Sequence, residues 1–146
     1  MKLILSWVVF VVSPLAAYGE TLTAVCGDIT GVSYEKSATG KIVQKPDKML
    51  GGELTVIWSG GQTVTVSSVD LRGRPQTWDG NVINHRNDAK SSFLTFVVPG
   101  PWRTDMYTID LREKTLLQSS HYPGSPFDAE SVNTSAAYIG TCKVGK

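Results

Sequence analysis

The sequence has few of the residues from which catalytic and metal sites are usually built. It contains only two cysteines and two histidines, and His85 and His121 show no ligand spacing with each other or with the cysteines. A G-x-S-x-G elbow, an H-E-x-x-H motif and a phosphate-binding glycine loop are all missing. We therefore predict no metal site, no cofactor and no enzymatic activity. An uncharacterised hydrolase is the least favoured alternative.

The chain also lacks an excess of either charge. Its 14 basic and 13 acidic residues give a formal net charge of +1. Loss of Lys2 with the N-terminal segment described below leaves 13 basic residues against 13 acidic ones, a net charge of zero. Binding to nucleic acid needs a clear cationic surplus to neutralise phosphates. The composition thus argues against a nucleic-acid partner.

The main apolar run lies at the N-terminus and is too short to span a membrane. Lys2 precedes an apolar stretch of about ten residues from Leu3 to Val12, roughly half the length of a membrane-spanning helix. Small residues then occupy the −3 and −1 positions in Ala17-Tyr18-Gly19, which favours cleavage before Glu20. Residues 1–19 are therefore predicted to be a signal peptide and residues 20–146 a single domain without a membrane span. This pattern predicts a secreted or periplasmic protein.

The two cysteines lie near the two ends of the predicted mature chain. Export would place Cys26 and Cys142 in an oxidising compartment, where an even number of cysteines favours pairing. A bond between them would close a loop of more than a hundred residues, a constraint of roughly 4–5 kcal/mol in the chain-entropy account. We predict this disulfide; two free buried thiols are the alternative.

What the sequence does contain is short runs of alternating apolar and polar residues, which are typical of β-strands, and no helical apolar period is sustained over three turns. The clearest runs form a meander from Ser92 to Tyr122, and further strands are predicted to start near residues 21, 53, 62 and 136. The predicted fold class is all-β, a single antiparallel meander closed into a small barrel, with a two-sheet sandwich as the alternative. The disulfide would join the first and last strands. The side chains expected in the core are Leu54, Val56, Trp58, Phe93, Leu94, Phe96, Val97, Tyr107 and Ile109.

Three segments lack this alternation and are predicted to be loops. Residues 35–52 are interpreted as an irregular exposed loop with a short strand at Lys41 to Gln44. The longest such segment runs from Val69 to Ser91, with a short strand allowed at Val82 and Ile83, and Pro123 to Thr134 forms the third. Long loops in compact domains are either functional or disordered. The Val69 to Ser91 segment is therefore the first place to look for a binding surface.

An aromatic residue and several cations occur together in that segment. Trp78 lies near Arg72, Arg74 and His85, and Trp102, directly after Pro101, is placed at the rim of the barrel. Tryptophan and arginine are enriched among binding hot spots, so these five residues are the predicted binding residues. The alternative for Trp78 is that it folds back as a plug on an open end of the barrel.

These features favour a non-catalytic binding module. Long loops on a stiff scaffold suit recognition of another exported protein or of a surface polymer. The alternative is a lipocalin-like carrier of a small apolar ligand inside the barrel, although the Gly-x-Trp motif of lipocalins is replaced here by Cys26-Gly27-Asp28. The two alternatives differ in core volume, because a barrel filled by its own side chains leaves no internal space for a ligand.

Overall fold

The structure, a computed structural model, forms one antiparallel sheet of nine strands. It describes residues 21–36, 39–48, 52–69, 73–101, 103–122 and 134–145. In this part of the chain all regular structure is β-strand, and no helix long and apolar enough to cross a membrane occurs. The strands are β1 (Leu22–Lys36), β2 (Ile42–Lys48), β3 (Leu54–Trp58), β4 (Thr63–Val69), β5 (Pro75–Asn87), β6 (Ser92–Pro99), β7 (Thr104–Asp110), β8 (Thr115–Tyr122) and β9 (Thr134–Gly145).

Eight of these strands close into a barrel, which confirms the predicted all-β barrel. Strands β3 to β9 follow one another in sequence order, and β1 pairs with both β3 and β9. Closure gives each of these strands a neighbour on both sides, so that the barrel avoids the unpaired edges that invite aggregation.

The ninth strand, β2, extends the sheet beyond the barrel. The first part of β1 pairs with β3, and residues Thr30 to Lys36 pair with β2 on the same edge. The other edge of β1 pairs with β9 along nearly its whole length, with a register shift between Gly27 and Thr30. Asp28 has a positive φ of 51° within this bulge. A bulge bends a strand and increases its twist, which lets one long strand leave the barrel wall.

Alternate residues of the eight barrel strands point into the barrel and fill it. Phe96 and Tyr107 stack at the centre with ring centroids 5.0 Å apart. Each large apolar side chain buried in this way stabilises the fold by about 1.5–3 kcal/mol. Phe93 and Val97, also expected in the core, are only half-buried because they alternate with the inward-facing residues of β6. The larger buried apolar residues include Ile29, Leu54, Val56, Trp58, Val64, Val66, Leu94, Phe96, Tyr107, Ile109 and Leu116.

The disulfide between the first and last strands is present as predicted. Cys26 and Cys142 face each other in the β1–β9 register with Cα atoms 3.9 Å apart. The two residues are separated by 116 positions in the sequence. The bond therefore fastens the pair of strands at which the barrel closes.

The prediction that residues 69–91 form a long loop was wrong. Most of this segment is β5, a 13-residue strand that pairs with β4 and β6. Gly80 occupies one of its inward positions, where an added Cβ would lie 3.1 Å from Val64 Cγ2 and 3.2 Å from a ring carbon of Phe96. The alternation of apolar residues is therefore interrupted at the point where the core needs a residue without a side chain.

The prediction of an irregular loop over residues 35–52 was also largely wrong. The short strand placed at Lys41 to Gln44 is part of β2, which runs from Ile42 to Lys48 and includes Pro46. The side chains of residues 42–46 are exposed, which explains why no apolar alternation marks this strand. The predicted signal peptide and the loop at residues 123–133 lie outside the described residues.

Candidate functional site at the open end of the barrel

The two ends of the barrel differ in how they are filled. At the end that carries the β3–β4 connection, Trp58 is 9% exposed and donates a hydrogen bond of 2.8 Å from Nε1 to the carbonyl oxygen of Gly61. His85 packs on it with ring centroids 4.3 Å apart. An indole with its N–H satisfied is a stable plug. The opposite end, which carries the β4–β5 and β6–β7 connections, is called the open end below.

The open end holds a cavity of about 330 Å³. One wall is apolar and is formed by the ends of β3, β5 and β6 and by the turn after β6. That turn is closed by a hydrogen bond of 2.8 Å from the amide of Gly100 to the carbonyl oxygen of Arg103. The turn has no room for a side chain at Gly100, since a Cβ there would lie 2.8 Å from the same oxygen. The apolar lining residues are Leu54, Trp78, Val98, Pro99 and Pro101.

The rest of the lining is polar, and two of its members carry opposite charges. Asp105 is 8% exposed and accepts a hydrogen bond of 2.6 Å from Arg103 Nε on the same carboxylate oxygen that accepts one of 2.5 Å from Ser120 Oγ. A second nitrogen of Arg103, Nη2, donates to Ser120 Oγ at 3.3 Å. A buried carboxylate is tolerated when it is paired and hydrogen-bonded in this way. The polar lining residues are Ser68, Gln76, Arg103, Asp105 and Tyr107.

The charge of Arg103 is secured by its partner. Burial acts to lower the pKa of the guanidinium, but the hydrogen bond and charge of Asp105 outweigh burial and raise the pKa above its ordinary value. The guanidinium carbon also lies 5.2 Å from the ring centroid of Tyr122, within cation–π range. Arg103 is therefore a cation held in place by three contacts, one with Asp105 on β7 and two with Ser120 and Tyr122 on β8.

A buried amide extends this polar group into the barrel. Gln118 is 3% exposed, and its Nε2 donates a hydrogen bond of 3.2 Å to Ser120 Oγ. Its Oε1 is buried without a hydrogen-bond partner among the described residues. Gln118 also lies directly opposite Tyr107 in the β7–β8 register. The buried polar group of Arg103, Asp105, Gln118 and Ser120, called the polar floor below, thus keeps one unused acceptor close to Tyr107, which lines the cavity.

Three tyrosines surround the polar floor and stay protonated. Burial, followed by the nearby charge of Asp105, raises the pKa of Tyr107 well above its ordinary value. Burial likewise raises the pKa of Tyr122, and burial together with the hydrogen bond to Asp47 raises that of Tyr138. Each hydroxyl is therefore a neutral donor at physiological pH. Together with Ser68 and Gln76 they give this end of the barrel many hydrogen-bonding groups and little net charge.

Of the five residues predicted to bind, the structure brings one to the cavity. Trp78 points inward from β5 opposite Val66 and is 40% exposed at the rim. His85, on the same strand, lies at the other end of the barrel against Trp58, so that the two do not form one site. Arg74 is exposed just before β5. Arg72 and Trp102 lie outside the described residues.

The sequence reasoning missed the polar floor. Arg103 and Asp105 continue the alternation of Tyr107 and Ile109 toward the start of β7, and Gln118 and Ser120 do the same after Leu116 on β8. The signal for the polar floor is that charged and amide residues occupy the same alternate positions of a strand as the inward-facing apolar residues. Buried polar side chains of this kind require partners.

No known protein family, curated protein or solved structure matches this chain. Among the described residues no cluster of three or more histidine, cysteine, aspartate or glutamate side chains is arranged to hold a metal ion. The cavity itself presents an apolar wall opposite the Arg103–Asp105 ion pair.

Proposed function

We propose that this protein is an exported, non-catalytic binding domain. In this proposal the cavity at the open end receives a protruding part of another extracytoplasmic protein or of a surface polymer. The observation that carries the proposal is the cavity itself, which combines an apolar wall with a buried polar floor. Binding sites are typically concave, mostly apolar and equipped with a few well-placed polar groups.

The shape of the site favours a protruding group over a ligand enclosed within the barrel. Below the cavity the interior is filled by Phe96, Ile109 and Leu116, each buried completely. A lipocalin-like carrier needs its internal space free for an apolar ligand, and these side chains occupy that space. A small molecule held at the mouth is the second candidate, because about 330 Å³ lies at the lower end of the range for such sites.

Export is supported by two features and remains part of the proposal. Disulfides persist mainly in oxidising compartments, and the Cys26–Cys142 bond joins the two strands at which the barrel closes. The apolar segment Leu3 to Val12 supplies the targeting signal that such a location requires.

Affinity purification from the native extracytoplasmic fraction tests the proposal. The bait proteins are the oxidised protein, its Trp78→Ala variant and its Ile83→Ala variant, and the captured proteins, glycans and small molecules are identified. Ile83 lies on the same strand but is 60% exposed and does not line the cavity, so it is the matched control. We expect a partner that is captured by the unmodified protein and by Ile83→Ala but lost with Trp78→Ala. A partner retained by all three baits would place binding elsewhere and contradict the proposal.

A further inference from the structure

The charges that line the cavity cancel one another. Of the eleven residues that line the cavity, Arg103 and Asp105 alone carry charge, and they are joined by a salt bridge of 2.6 Å. A cationic ligand would meet the guanidinium, which is the more exposed member of the pair. An anionic ligand would gain little from the guanidinium, because the carboxylate beside it already neutralises its charge. Neither a cationic nor an anionic ligand gains net electrostatic energy from this pair, so the cavity is suited to a neutral ligand.

The same cavity does not suit an entirely apolar ligand. Covering the exposed N–H groups of Arg103 and the hydroxyl of Ser68 with hydrocarbon would remove their contact with water without replacing it, which is unfavourable for each polar group left unsatisfied. The ligand must therefore carry hydroxyl or amide groups along the edge that faces the floor. Hydrogen bonds to the ionised pair would be the stronger kind.

The wall opposite the floor presents flat apolar surfaces. Trp78 exposes 40% of its surface at the rim, and the rings of Pro99 and Pro101 line the cavity beside Val98. The negative face of an indole attracts weakly positive C–H groups. A ligand that fits both sides has a flat C–H face and a hydroxyl rim, which is the chemistry of a pyranose ring.

We propose that the cavity binds a neutral sugar unit of a glycan, with its C–H face on Trp78 and its hydroxyls on Arg103 and Ser68. This inference rests on the proposed function, since it names the ligand class of the same site. Arg103 already bonds Asp105 through Nε and Ser120 through Nη2, and its remaining N–H groups are the donors offered to the ligand. The hydroxyl of Ser68, which also lines the cavity, can both donate and accept. A protein segment can also pack on an exposed indole, so a purely protein partner is an outcome of the test.

Calorimetric titration of the oxidised protein with neutral trisaccharides tests the inference. The probes are the trisaccharides of glucose in α- and β-linkage, of mannose and of N-acetylglucosamine. We expect saturable binding of at least one probe, weakened about tenfold or more by Trp78→Ala and by Arg103→Lys, which keeps the charge and loses the fork. If Arg103→Lys does not fold, Gln76→Ala, at an exposed position in the cavity lining, replaces it and should weaken binding to a smaller extent. Ile83→Ala is the control and should leave the affinity unchanged. Because the ligand is neutral, raising NaCl from about 50 to 500 mM should change the affinity less than twofold.

Several outcomes would overturn the inference without touching the proposed function. They are the absence of binding by every trisaccharide, affinities that survive both Trp78→Ala and Arg103→Lys, or tighter binding of inorganic phosphate than of any sugar. The capture experiment distinguishes failure of the sugar inference from failure of the proposed binding function. If the Trp78-dependent partner captured is a protein that carries no glycan, the site binds protein and the sugar inference fails. If no Trp78-dependent partner is captured and no sugar binds, both proposals fail.

Discussion

Tyr138 on β9 donates a hydrogen bond of 2.8 Å to Asp47 on β2, although 91 residues separate them in the sequence. The strand between them is β1, where Gly31 is the register partner of both residues. An added Cβ at Gly31 would lie 1.9 Å from the carbonyl oxygen of Ala137. The contact between β9 and the extra strand therefore depends on a residue that has no side chain.

The first prediction concerns this glycine. Gly31→Ala should lower the free energy of unfolding by about 1–3 kcal/mol or more, because the clash is with backbone atoms that cannot rotate away. Urea denaturation of the oxidised protein measures the loss. Gly145→Ala is the control, since nothing lies within 4 Å of a Cβ at that position, and it should change stability by less than about 0.5 kcal/mol. Equal stability of both variants would show that β1 and β9 separate easily at this point.

Where a strand has one buried face and one solvent-exposed face, its alternating sequence was enough to predict it. Strands near residues 53 and 62 are predicted, with Leu54, Val56 and Trp58 in the core, and they correspond to β3 and β4. Gly60 in the turn between them has a φ of +84°. Strand β5 escaped prediction because its apolar face is interrupted by Gly80 and its register shifts between Val82 and Asn84. A period-two pattern is lost at a bulge even though the strand continues.

The candidate site was less predictable than the fold. Trp78 was noticed as an aromatic residue in polar surroundings, but it was assigned to a loop with His85 as a neighbour. Because β5 runs the length of the barrel, the structure places the two at opposite ends. The Arg103–Asp105 pair joins residues two positions apart, and only the closed barrel shows that it faces a cavity. Local sequence spacing does not carry that information.

The second prediction concerns the disulfide. Reduction of Cys26–Cys142, or the double change Cys26→Ala and Cys142→Ala, should lower the free energy of unfolding by about 4–5 kcal/mol, because the bond restricts the unfolded chain over a separation of 116 residues. Urea denaturation with and without reductant measures the difference. Alkylation without prior reduction, followed by mass spectrometry, should detect no free thiol in the native protein. Two alkylated cysteines would contradict the bond.

The third prediction tests the packing of the barrel. Ile109 is completely buried, so Ile109→Ala should cost about 2–5 kcal/mol through lost contacts and a cavity. The matched control is Ile83→Ala, because Ile83 is exposed on the outer face of β5 and should change stability by less than about 0.5 kcal/mol. Thermal and urea unfolding of both variants provide the comparison. Losses of similar size at the two positions would contradict the assignment of inside and outside.

The fourth prediction concerns alkaline pH. Burial raises the pKa of Tyr107 in the folded protein above the ordinary value of 10.0, so the unfolded chain releases this proton first. The contribution of protonated Tyr107 to the free energy of unfolding is therefore fully present below about pH 10 and is lost as the pH rises above that value. Urea denaturation at pH 8 and at about pH 11 should show a falling free energy of unfolding, and Tyr107→Phe should reduce that fall. A fall of the same size in the variant would mean that Tyr107 ionises equally in both states.

The last prediction separates a binding role of Trp78 from a structural one. As a plug, Trp78 would be core, and Trp78→Ala would cost about 3 kcal/mol or more. Trp78 is instead 40% exposed, whereas Trp58 at the opposite end is 9% exposed and hydrogen-bonded to Gly61. We therefore expect Trp78→Ala to cost less than about 1.5 kcal/mol, and Trp58→Ala, the matched control in the same barrel, to cost about 3–5 kcal/mol. Urea denaturation measures both losses, and titration with the captured partner measures binding. A loss at Trp78 as large as that at Trp58 would identify it as a second plug, whereas a small loss of stability with loss of binding assigns its exposed face to the ligand.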